Sequence, residues 1–77
     1  MKIYGTVLRV EKLRNSKDGN PSFCFVTDCA NLGEMHIKSA KDLMQSYSVT
    51  ESNMVGKSYV FYCSDIGVAY SWEELSV

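Results

Sequence analysis

Apolar and polar positions along this chain fall into five β-rich runs separated by clusters of turn formers. Residues 2–13, KIYGTVLRVEKL, are rich in β-branched and aromatic types, and the interior Gly5 marks the bend a strongly curved strand needs. Residues 15–21, NSKDGNP, concentrate the types that accept φ > 0 or supply turn hydrogen bonds, which predicts a hairpin. In the following run, 22–29, a period of two puts Phe23, Phe25 and Thr27 on one face and Cys24, Val26 and Asp28 on the other, with the Phe face expected in the core. After a turn at 31–33, residues 34–38 alternate Met35 and Ile37 against Glu34, His36 and Lys38, the pattern of a half-buried third strand. Ser39 is a suitable N-cap, and Ala40, Leu43, Met44 and Tyr47 recur at helical spacing, so a helix of about two turns is expected over 40–47. A polar connector over 48–56 ends at Gly56. Residues 57–63, KSYVFYC, and 68–75, VAYSWEEL, read as strands four and five joined by the tight link 64–67.

Strand, strand, strand, helix, strand, strand is the order of the OB-fold, a Greek-key barrel of five strands with its helix between strands three and four. An open α+β sheet shares that order and is the alternative. The expectation is therefore a mainly β, five-stranded OB-fold-like Greek-key barrel. With 77 residues the chain cannot divide its core, so residues 1–77 should form a single domain. Phe23, Phe25, Tyr59 and Phe61 fall at alternate positions and are expected inside.

The opening segment Gly5-Thr6-Val7-Leu8-Arg9, the turn Ser16-Lys17-Asp18-Gly19-Asn20-Pro21 and the run Phe23-Cys24-Phe25-Val26 together resemble the first hairpin of the bacterial primosomal replication protein B family. They are similar more loosely to the single-strand-binding proteins of bacteria and filamentous phages. Val55-Gly56-Lys57-Ser58-Tyr59-Val60 is a second, weaker echo, at the entry to strand four. The first match covers about 30 residues at the N-terminus, and 30–55 carries none. The resemblance implies an OB-fold that holds single-stranded DNA. The short link between strands four and five differs from these relatives, whose loop there often extends as an arm.

Charge adds a direction. The net charge is −1, which excludes a whole-molecule attraction to nucleic acid or anionic membrane. Residues 1–20 nonetheless carry five basic groups against two acidic ones, while the rest carries three against seven. Single strands are held by cations that track phosphates and by aromatic faces on which bases stack. Arg9, Lys12, Arg14 and Lys17 supply the first ingredient on strand one and its loop, and His36 and Lys38 extend it across strand three. Tyr62, Trp72 and Tyr4 are candidates for the second. Against this stand plainer readings: solvated charges that keep a small domain soluble, a Trp72 that closes the barrel end, and a Tyr62 in a subunit contact.

Cys24, Cys29 and Cys63 are odd in number and lack C-x-x-C spacing, which fits buried reduced thiols better than a disulfide framework. With His36 they would make a three-Cys, one-His zinc set if they met, yet Cys24 and Cys29 fall on opposite faces of one strand, so no metal or other cofactor is expected. A lone His without a visible orienting group, and scattered glycines without a phosphate-binding loop, give no catalytic residues and no enzyme. No apolar run is long enough for a span of about 18–20 residues, and neither a membrane partner nor a secretory leader is expected. The expected location is cytoplasmic. These residues favour a small module for single-stranded DNA or RNA with little sequence preference, of a size that suits replication in a phage or mobile element, paired as a homodimer. The alternative is an OB-like protein-interaction or inhibitory module, presenting Asp65, Glu73 and Glu74 to a protein partner.

Overall fold

The computed structural model describes all residues except Ser16, Asp18, Asn20, Lys41, Asp42, Glu51, Ser76 and Val77. Three members of the predicted first turn thus lie outside the described residues. The strands are β1 (Lys2–Leu13), β2 (Ser22–Cys29), β3 (Gly33–Ser39), β4 (Ser58–Cys63) and β5 (Val68–Glu74). They close into a barrel in the order β1-β2-β3-β5-β4, with β4 returning to β1. The mainly β, OB-fold-like barrel expected from the element order is what the chain forms.

Closure depends on β1 serving two neighbours. Its N-terminal half pairs antiparallel with β4, from Lys2 opposite Tyr62 to Thr6 opposite Ser58. Its C-terminal half pairs antiparallel with β2, from Thr6 opposite Asp28 to Leu13 opposite Ser22. Gly5 sits at the changeover because nothing larger fits: a Cβ there would lie 2.5 Å from Thr27 Cγ2 and 2.8 Å from the Asp28 carbonyl oxygen. Just beyond, Leu8 is an extra residue between the Val7–Thr27 and Arg9–Val26 pairs, a bulge that adds local twist. A matching bulge at Tyr70 separates the Tyr62–Ser71 and Cys63–Ala69 pairs of β4 and β5. The barrel is sealed by a short parallel contact of β3 with β5, at Lys38–Val68 and Ser39–Ala69.

The inward residues form one aromatic core. Phe25 is fully buried, with its ring centroid 5.5 Å from that of Phe61 and 5.0 Å from that of Trp72, the latter edge-on. Phe23, Tyr59 and Ile37 join them, as the alternation predicts. Alternation fails in one respect. It puts Cys24 and Val26 on an exposed face, yet they are 6% and 0% exposed, outside the core cluster and on the outer side of β2. Val26 lies in register between Arg9 and His36, and Cys24 between Glu11 and Lys38, so long flanking side chains close over short ones.

Of the helix expected over 40–47, Lys41 and Asp42 lie outside the described residues, and the described helical part is a five-residue 3₁₀ turn, Met44–Ser48. Ser39 does not cap it: Ser39 ends β3, and its hydroxyl accepts a hydrogen bond from the Phe23 N–H at 2.9 Å. The apolar stripe is buried only in part: Leu43 packs against the core, whereas Met44 is 81% exposed. A polar contact also fastens this segment. The Gln45 side-chain amide donates to the Trp72 carbonyl at 2.8 Å and accepts from the Trp72 N–H at 3.3 Å, replacing a neighbouring strand where β3 no longer reaches β5. The connector that follows, expected to be polar, contributes Val49 and Met54 to the core.

Two substitutions test this packing in opposite directions. Gly5→Val should cost on the order of 1–3 kcal/mol, because the added atoms press on backbone as well as on a methyl group. Ser46 carries a buried hydroxyl without a hydrogen-bond partner among the described residues, so Ser46→Ala should be neutral or stabilising by up to about 1–2 kcal/mol. Urea denaturation of both variants measures the difference.

Candidate nucleic-acid interface

The outer face of β1, β2 and β3 is built in rows. Arg9, Val26 and His36 form one row, and Glu11, Cys24 and Lys38 form the next, which continues to Val68 of β5. Three of the basic candidates therefore share one side of the barrel above an apolar floor. The face is not uniformly cationic. Arg9 Nε lies 3.6 Å from Glu11 Oε1, and His36 Nε2 lies 3.4 Å from Glu34 Oε2, both pairs half-exposed. Exposed pairs of this kind contribute little to stability, on the order of 0–1 kcal/mol, so Arg9 is free to exchange its carboxylate for a phosphate.

Lys12, Arg14 and Lys17 do not extend these rows in a simple line. Lys12 is in register with the core residue Phe23, hence on the opposite parity from Arg9, and is exposed near the end of β1. Arg14 and Lys17 are exposed on the hairpin beyond the strand. The hairpin cations thus stand at the open end of the face.

The aromatic candidates fare differently. Trp72, expected as a stacking platform, is 6% exposed and packed edge-on to Phe25, which leaves little of its ring for a base to stack on. Tyr62 is half-buried on the far side of the barrel, in register with Lys2 and Ser71, and Lys2 Nζ lies 5.7 Å from its ring centroid. It is not brought together with Arg9, His36 and Lys38. Tyr4 is exposed on the same far side, opposite Val60. Sequence reasoning misses Val26 and Cys24 as the floor of the basic face; the signal for it is an unbroken apolar run, Phe23 to Val26, where a one-sided strand would alternate.

Cys24 lies on this outer face, whereas Cys29 and Cys63 belong to the core, which separates the three thiols that a zinc site would need. Burial pushes all three above the ordinary thiol value of 9.0; Glu11 adds to the effect at Cys24 while Lys38 and Arg9 oppose it. At Cys63 the N-terminal ammonium opposes the rise, and Cys29 adds to it. No protein-family model, curated protein or solved structure matches the chain.

The thiols yield a pH prediction. Above pH 9.0 the unfolded chain loses thiol protons that the folded chain retains, so the unfolded state binds fewer protons and stability falls as pH rises. Denaturation midpoints should drop from about pH 9 upward. A variant with Cys24, Cys29 and Cys63 replaced by Ala should lack that part of the slope.

Proposed function

We propose that this protein is a small module for single-stranded nucleic acid, with little sequence preference. The observation that carries this reading is the convergence of Arg9, His36 and Lys38 on one outer face of β1–β3, at whose open end stand Arg14 and Lys17. On OB-folds that face, bordered by the first hairpin, is the usual ligand side. The resemblance of the first hairpin to the primosomal replication protein B family points the same way, toward a role in replication. With Trp72 buried, stacking contributes less than expected, and phosphate contacts must supply most of the affinity. One barrel offers only a short track, so a homodimer is part of the proposal, since pairing doubles the phosphate contacts. Ile66 and Tyr70, exposed on the β4–β5 hairpin, are apolar side chains that such pairing would cover.

A fluorescent oligothymidine, titrated at several salt concentrations, tests this. Arg14→Ala with Lys17→Ala should weaken binding irrespective of base sequence and flatten the log–log salt dependence by about 0.7 for each phosphate that is no longer neutralised. Stability should change by no more than about 0.5 kcal/mol, because both side chains are exposed. Light scattering should give about twice the 8.7 kDa chain mass. If the parent protein shows no salt-sensitive binding to DNA or RNA single strands at low ionic strength, the protein-interaction alternative replaces this function.

A further inference from the structure

β1 has strand neighbours on both sides only around Thr6. Between Lys2 and Gly5 it pairs with β4 alone, because β2 ends at Cys29 and turns away into β3. The bonds to β4 come from alternate residues. The Met1 ammonium donates to the Cys63 carbonyl, the Cys63 N–H donates to the Met1 carbonyl, and the Val7 N–H donates to the Lys57 carbonyl. An antiparallel ladder keeps this period of two, so Ile3 and Gly5 also face β4, and the N–H and C=O groups of Lys2 and Tyr4 point into the gap that β2 leaves.

The gap is concave. A groove of about 310 Å³ lined by Tyr4, Thr6, Asp28, Ala30 and Leu75 adjoins one of about 180 Å³ lined by Lys2, Ala30 and Leu32, with Tyr4 and Ala30 common to both. Its exposed apolar side chains are Tyr4, Leu32 and the small Ala30. Its charge is divided: Lys2 stands at one end, and the Asp28 end is acidic, since Asp28 is in register with Glu34 and no cation among the described residues is ion-paired with it. A phosphate backbone is repelled there. A free strand edge, an apolar trough and an unpaired carboxylate suit an extended polypeptide instead.

We propose that this wedge binds an extended, basic segment of a partner protein by strand addition to Lys2–Tyr4. The segment's main chain bonds the free edge, an apolar side chain rests over Ala30 and Leu32, and a Lys or Arg side chain meets Asp28. This site lies apart from the Arg9, His36 and Lys38 rows, so peptide and oligonucleotide binding are separable.

The probe is an N-acetylated, C-amidated pentapeptide of alternating valine and arginine, titrated into ¹⁵N-labelled protein. Saturable shifts should appear at the amides of Lys2, Tyr4 and residues 28–32. Methylating alternate backbone nitrogens of the peptide should weaken binding by about tenfold. Glutamate in place of arginine should weaken it more than the exposed change Asp28→Asn does, and Asp28→Asn should weaken it by roughly two- to fivefold. The proposal is overturned if the peptide produces no saturable shift there at millimolar concentration, or if methylation or Asp28→Asn leaves affinity unchanged. Shifts at the same amides caused by an oligonucleotide, or by protein concentration alone, would assign the wedge to nucleic acid or to a second copy and likewise overturn it.

Discussion

The close approach of β1 to β2 at Gly5 is the contact on which the barrel depends. A side chain there would meet Thr27 Cγ2 and the Asp28 carbonyl oxygen, so only a glycine lets one strand leave β4 and join β2 within a residue. Without that transfer β1 would belong to one sheet and the five strands would have two open edges. The bulge at Leu8 completes the turn by adding twist where the pairing changes.

Both candidate surfaces follow from the same geometry. Past the bulge, Arg9 faces outward in line with Val26 and His36, and the basic face forms along the half of β1 that pairs with β2. Before it, β1 is left with an unpaired edge beside the β2–β3 turn, and the wedge forms along the half that pairs with β4, with Asp28 at one end and Lys2 at the other. The basic rows carry the proposed phosphate contacts, and the wedge, with its free main-chain groups and Asp28 at one end, carries the proposed peptide site.

Strand positions are readable from the sequence because β-branched and aromatic runs are bounded by strong turn formers; β1 and β2 have the predicted bounds, and the others differ by a residue or so. The segment after β3 is not readable. Ala40, Leu43, Met44 and Tyr47 have helical spacing, but Leu43 packing on the core and the Gln45 bonds to Trp72 outweigh a local preference in so short a segment. Trp72 is ambiguous for a related reason: Glu73 and Glu74 beside it suggest exposure, whereas strand parity with Phe61 puts it inside. Of the basic residues, parity separates Lys12 from Arg9, but the inserted Leu8 shifts the frame, and no local signal announces a bulge.

Mapping an oligothymidine onto ¹⁵N-labelled protein by amide shifts at low salt is the most direct test of where ligand binds. The account predicts shifts concentrated at Arg9, Val26, His36 and Lys38, joined by Arg14 and Lys17, with Tyr62 and Ser71 on the far side unmoved. Shifts centred on Tyr62 and Ser71, or none at all, would contradict it.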